Sequence, residues 1–295
     1  MAKSKIKLPL GERIFNVVNI IICTLITLAI LLPLINILFA SFSDPIEVMK
    51  TSKLFLYPKK PTTIAYEQVF KNKDILTGYS NTIFVVVVGT SLNLVMTLIG
   101  AYVLSRKGPM LIKFFTVLVV FTMYFGGGTI PFYLVVHALG LTQTRWSLII
   151  PVAINTFNLI VMRTAMAGVP DSLTESAMMD GAGHVRILFQ IVTPLTKSTV
   201  AVIVLYYAVY HWNSWFNANI FLRKRSMYPL QLILRELLIQ DDASFLGSGG
   251  AASLAMAADT VKYATIVVAT APILCIYPFL QKYFVKGVMV GAVKG

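Results

Sequence analysis

"ESAMMDGAGHVRILFQIVTP", residues 175–194, is polar and glycine-punctuated, yet it lies between two long apolar segments. Its local signals are those of a folded element. Pro170 and Asp171 follow an apolar run, and Ser172 with Glu175 three residues later predicts a capping box. A short helix should then continue from Thr174 to Asp180 and stop at Gly181 and Gly183, because glycine adopts the left-handed conformation that closes a helix. A second short helix is predicted from His184 to Ile191. Thr193-Pro194 then restarts the chain into the next apolar run, with proline tolerated in the first turn. The expected product is a helix–turn–helix knuckle lying across one end of a helical bundle. A short rigid helix of that kind can take up a rigid-body push from another protein.

Outward from the knuckle the chain is apolar. Of its 295 residues 57% are hydrophobic and only 13% are charged, where soluble domains carry about a quarter. The mean hydropathy is +0.78. Runs of about 20 apolar residues mark bilayer-spanning helices, since lipid offers backbone polar groups no partner. Six such runs occur: Ile14–Ala40, Thr82–Leu104, Leu111–Tyr124 (extending past a glycine break to Leu139), Trp146–Met162, Val200–Leu222 and Tyr263–Phe284. The expected fold class is all-α, a polytopic membrane protein with six transmembrane helices. One transmembrane domain should occupy residues 1–295, with residues 1–13 as a cytoplasmic segment and the core at about 80–285. The first run is too long for a secretory signal and has no small-residue cleavage site after it, so it reads as a retained helix. Cys23 and Cys275 fall inside runs and read as apolar fillers. Near the first helix the basic residues Lys3, Lys5, Lys7 and Arg13 precede it, against Lys50 and Lys53 after it. That bias places the N-terminus in the cytoplasm. An even number of spans puts both termini there, with residues 163–197, and sets 43–79 and 223–261 outside.

What the runs lack is equally informative. None contains Asp or Glu, whereas ion-coupled carriers place ionisable groups at mid-membrane depth to bind the coupling ion. No Gly-Lys dipeptide occurs, so there is no Walker loop with its lysine on the phosphates. His137, His184 and His211 stand far apart with no HExxH around them, which argues against a zinc protease, and neither GxSxG nor a metal-ligand cluster is present. The chain therefore reads as non-enzymatic, without metal, cofactor or nucleic-acid partner. Energy for uphill movement would have to come from another subunit. An assembly scaffold is the alternative from a different class.

The spacing Glu175-Ser176-Ala177, three residues, Gly181, nine residues, Ile191-x-Thr193-Pro194 resembles the EAA loop of bacterial ABC importer permeases. That family's pattern is E-A-A, three residues, glycine, nine residues, I-x-L-P; Ser176 replaces the first alanine and Thr193 the leucine. "MRTAM" before the loop, "HWNSWFNANIFL" at 211–222, "YPLQLILREL" at 228–237 and the tail "YFVKGVMVGAVKG" at 283–295 resemble its carbohydrate-uptake branch, most of all the LplC/YtcP-like permeases linked to oligosaccharide and polysaccharide-fragment uptake. The resemblance implies a permease in the bacterial inner membrane, paired with a second homologous permease as a heterodimer. It further implies two cytoplasmic ATPase subunits that hold ATP and Mg, and an extracytoplasmic solute-binding protein. In that setting Glu175, Ser176, Ala177, Asp180, Gly181, Gly183, Ile191 and Pro194 form the coupling loop that docks on the ATPase. The tail with Gly291 and Lys294 would lie against the ATPase dimer. The glycine-rich tip Gly247-Ser248-Gly249-Gly250 would reach the binding protein, with a plain flexible loop as the alternative. A permease for another solute also remains open.

Candidate path residues come from helical spacing. Tyr206, Tyr210, Asn213 and Asn217 recur at i, i+4, i+7 and i+11, one face of a continuous helix. Aromatic faces and amides on such a face suit a sugar. Asn155 and Asn158 are three apart and should project to one side, and Thr90, Asn93, Thr97 and Gly100 form a polar or small stripe. Interhelical hydrogen bonding is the competing reading for these asparagines and threonines. Trp212, Trp215 and Phe216 read as an interfacial aromatic belt. Gly126-Gly127-Gly128 should break the third run, either as a bend near the outer mouth or as a tight helix crossing. The net charge of +13 fits lipid headgroups, and Arg223-Lys224-Arg225 could also attract an acidic protein surface or an anionic glycan.

Overall fold

Helix α1, Leu10–Ser41, is apolar on every side and exposed at each residue from Leu10 to Leu34. A helix of 32 residues is about 48 Å long, more than a hydrocarbon core, and among the described residues its first two-thirds stays exposed. Lipid is the solvent that such a surface requires. The computed structural model describes residues 9–50, 54–106, 111–239 and 259–275, and the regular elements among them are all helical. They divide into two compact units, Met1–Lys71 with Asp242–Val268, and Asn72–Asp241 with Ala269–Gly295.

In the first unit α1 is followed by α2, Pro45–Lys50, and α3, Ile64–Lys71. Polar side chains tie the end of α1 to the segment between residues 55 and 66. Asn36 Oδ1 accepts from the Phe55 N–H at 2.8 Å, Ser43 Oγ accepts from the Lys59 N–H at 3.0 Å, and Ser41 Oγ lies 2.7 Å from the Tyr66 hydroxyl. Ala40, Val48 and Phe55 form a small core with Phe39 and Tyr263 packed on it.

The second unit is organised on α4, Lys73–Ser105, whose first turn is capped by the Asn72 side chain accepting from the Asp74 N–H. After it come α5, Ile112–Tyr124, and α6, Thr129–Ala138. These meet at 116° across Phe125–Gly128, with Gly128 at φ +83 and no atom within 4 Å of a Cβ built on Gly126 or Gly128. The glycines therefore make a bend, not a close helix crossing. Two 3-10 turns, Arg145–Leu148 and Ile150–Val152, precede α7, Thr156–Ala167. The knuckle is α8, Asp171–Met179, and α9, His184–Arg186, which runs through a π-helical turn, Ile187–Val192, into α10, Thr193–Leu195. Then come α11, Lys197–Trp212, α12, Phe216–Phe221, and α13, Leu230–Ile239. The core joins Leu98 and Ala101 of α4, Leu159, Met162 and Met166 of α7, and Ile203 of α11.

Among the described residues two helices, α1 and α4, are long and apolar enough to cross a membrane; the count rises to five if each of three bent pairs is one span. Three expected boundaries change. The fourth apolar run is broken at residues 153–155, with a 47° bend between its halves. The fifth run breaks between Trp212 and Phe216. The restart expected at Thr193-Pro194 lies at Thr196, where the chain turns through 91° into α11. The sixth run is described only as far as residue 275.

Candidate functional site

Breaking the fourth run frees backbone groups that a continuous helix would have paired, and lipid cannot satisfy them. Neighbouring helices do so here. The Asn93 side-chain amide donates to the Val152 carbonyl at 2.5 Å, and the Asn155 N–H donates to the Tyr207 hydroxyl at 3.0 Å. Asn93 Oδ1 in turn meets His211 Nε2 at 2.6 Å. Because the Asn93 amide nitrogen faces a carbonyl, its oxygen must accept, so the His211 proton sits on Nε2. Tyr207 lies 2.7 Å from Thr97 Oγ1. Asn155 caps α7, its Oδ1 accepting from the Asn158 N–H at 3.0 Å.

Beside this break opens a cavity of 450 Å³ between the 150–158 segment and α11. Asn155, Asn158, Tyr206, Tyr207 and Tyr210 supply its polar and aromatic wall, and Pro151, Ile154 and Phe157 line it as well. Among the described residues that line it, none is charged. Tyr206 and Tyr210 are both exposed.

At the knuckle the helix stop forms as expected. Gly181 takes φ +79, its N–H donates to the Met178 carbonyl at 3.0 Å, and the Ala182 N–H donates to the Ala177 carbonyl at 2.9 Å. Those two bonds are a complete Schellman motif. The capping box does not form: α8 begins at Asp171 after Pro170, with no side-chain cap, so Ser172 and Glu175 lie inside the helix. Thr174 Oγ1 bonds back to the Asp171 carbonyl instead. Glu175, Ser176, Asp180, Gly181 and Gly183 are exposed, while Ala177 is buried against the core. Ile191 is half-buried and Pro194 exposed. The knuckle is held to the end of α4, where Tyr102 Oη lies 3.1 Å from His184 Nδ1 and the Arg106 guanidinium covers the Tyr102 ring at 4.7 Å.

The sequence is 39% identical over 289 residues to the polygalacturonan/rhamnogalacturonan transport system permease protein YtcP of Bacillus subtilis, covering 96% of this chain and 99% of that protein. It is 38% identical over 283 residues to protein LplC of the same organism, covering 96% of each. The fold matches the crystal structure of a bacterial ABC transporter involved in the import of the acidic polysaccharide alginate, with a TM-score of 0.87, 33% identity, and coverage of 95% of this chain and 100% of that one. The chain belongs to the ABC sugar-transport permeases. No protein-family model matches it. As an ABC permease it is a membrane protein and a transporter subunit.

The fold of this permease regroups the expected path residues. Tyr206, Tyr210, Asn155 and Asn158 come together at the cavity. Asn155 and Asn158 do so as a cap and its helix, not as two positions on one helical face. Asn213 ends α11, its amide bonded to the Val209 carbonyl, and Asn217 sits on α12 beyond the break, so the four-residue face is not continuous. Asn93 is fully buried between helices. Trp212 is buried edge-on to Tyr79, which removes it from a lipid-facing belt, and Trp215 carries the Arg235 guanidinium 4.2 Å from its ring. All three residues of the basic triplet are exposed, and Arg225 is engaged by Asp74 at 2.6 Å and Glu236 at 3.3 Å. Gly247, Ser248, Gly249, Gly250, Gly291 and Lys294 lie outside the described residues. Sequence reasoning missed Tyr207 and undervalued His211. An imidazole inside an otherwise apolar helix was the available signal, because an intramembrane ionisable group needs a specific partner.

Proposed function

We propose that this ABC permease is one half of a heterodimeric importer for oligosaccharides cut from acidic polysaccharides. The carrying observation is the likeness, over nearly the whole chain, to a permease named for polygalacturonan and rhamnogalacturonan transport, and the alginate importer fold agrees with it. In this reading an extracytoplasmic binding protein delivers the glycan, and a second permease completes the path. Two cytoplasmic ATPases holding ATP and Mg drive it. The chain crosses the bacterial inner membrane six times with both termini cytoplasmic. The cavity beside Tyr206 and Tyr210 lies on the path, where rings can stack on sugar C–H faces and Asn155 and Asn158 can pair with hydroxyls.

The knuckle is the coupling element. Glu175 and Asp180 project outward while Ala177 seats the helix on the bundle, so a push on its exposed face would move α4 and α7 with it. Glu175→Lys and Gly181→Pro are each expected to lower binding-protein-stimulated ATP hydrolysis at least several-fold in reconstituted vesicles, with the complex still inserted. Uptake of oligogalacturonates against neutral oligosaccharides of equal length tests the solute class. Equal uptake of both would discard the acidic assignment, and full ATPase stimulation in both variants would discard the coupling assignment.

A further inference from the structure

Two side-chain relays converge on the broken segment 150–155, and they share one register. On α4, Asn93 and Thr97 are one helical turn apart; on α11, His211 and Tyr207 are also one turn apart, in the opposite order. Asn93 pairs with His211 and reaches the Val152 carbonyl. Thr97 pairs with Tyr207, whose hydroxyl takes the Asn155 N–H. The four residues are buried at 0%, 0%, 1% and 2% exposure for Asn93, Thr97, His211 and Tyr207. Gly89, one turn before Asn93, admits the imidazole, since a Cβ there would lie 2.6 Å from His211 Nε2.

We propose that Asn93, His211, Thr97 and Tyr207 are positioning residues that hold the 150–155 segment in the conformation that presents Ile154, Asn155 and Asn158 to the translocated sugar. The proposal rests on the reading that the cavity lies on the path. The physical reason is the choice of backbone groups. Val152 O and Asn155 N–H are a carbonyl and an amide that the helix break leaves without helical partners, and each is taken by a side chain. A buried donor or acceptor is costly to leave unmade, so the two relays select the broken conformation over a straightened one. The described wall they present is made of aromatic rings, amides and apolar side chains, which suits recognition of ring faces and hydroxyls.

Tyr207→Phe and Thr97→Val keep side-chain volume while removing the hydroxyls, and Thr97→Ser restores one. Each is combined with Ile154→Cys, after Cys23 and Cys275 are replaced by alanine, in the full complex reconstituted in vesicles. The thiol is titrated with a water-soluble maleimide, with and without glycan-loaded binding protein. Sugar moved per ATP hydrolysed is measured in parallel. In the otherwise native complex the thiol is expected to label and to be protected by glycan. Tyr207→Phe and Thr97→Val should each change the labelling rate and lower the sugar-per-ATP ratio, on the order of fivefold for one lost hydrogen bond. Thr97→Ser should return both to the native values. Protection with no change in either variant would overturn the positioning role alone. Absence of protection in the native complex would remove the cavity from the path and overturn the proposal with it.

Discussion

Gly89 lies under the His211 ring, and that contact makes a stability test at single-atom resolution. The imidazole is fully buried and bonded to Asn93, so it cannot swing aside to admit a methyl group. Gly89→Ala is expected to lose about 1–3 kcal/mol through overpacking, seen as a lower unfolding temperature in detergent. Gly100→Ala is the control, because its new methyl meets only the tip of Leu159 at 3.0 Å and should cost less. At the surface, Lys60 bonds Glu47 at 2.7 Å. That hydrogen bond, with the ammonium charge, holds the Glu47 carboxyl below its ordinary 4.5, and the carboxylate raises Lys60 above its ordinary 10.5. The Glu47 contribution is complete above 4.5 and fades as pH falls through the lowered native value. The Lys60 contribution is complete below 10.5 and fades as pH rises through the raised one. Lys60→Gln should therefore return the Glu47 titration, followed by carbon NMR of the labelled carboxyl, to the ordinary range.

Among the elements, α8 owes its stop to one backbone conformation. At φ +79 a side chain costs about 1–2 kcal/mol, so Gly181→Ala should weaken the stop, and Gly181→Asn should be tolerated better. Pro at that position is worse again, because its fixed φ is negative and it lacks the N–H that reaches Met178. On α11 the break after Trp212 sets the labelling pattern. With cysteines placed singly along 206–217, thiol reagents should mark 206 and 210, with protection by glycan-loaded binding protein, and miss 207 and 211. Labelling confined to 212, 215 and 216 would mean that α11 turns its other face to the path.

For the whole molecule, the expectation that bears on assembly concerns the tail. Gly291 and Lys294 lie outside the described residues. If the tail meets the ATPases, deleting Gly291–Gly295 should lower ATPase stimulation more than it lowers the unfolding temperature. Unchanged transport would make it a frayed end. The apolar length of α1, exposed among the described residues, belongs to this scale too, since a surface of that kind suits lipid.

The membrane class, the all-helical fold and the spacing of the knuckle were legible in the sequence because each is a local property. Apolar run length and a glycine that needs positive φ at 181 depend on near neighbours alone, whereas the small residue at 177 is set by its burial against the bundle. The breaks at 153–155 and 213–215 were not legible, and neither was the burial of Trp212; for Asn93 and Thr97 the sequence left interhelical bonding open as the competing reading, and the structure shows it. A straight helix and a broken one have the same apolar pattern there. What selects the break is whether a distant side chain can satisfy the freed backbone groups. Those partners stand far off in the chain: Asn93 for Val152, and Tyr207 for Asn155. The Asn93–His211 and Thr97–Tyr207 pairs that orient them span 118 and 110 residues. Only the packing of α4 against α11 brings these groups to one place, and with them the wall of the cavity.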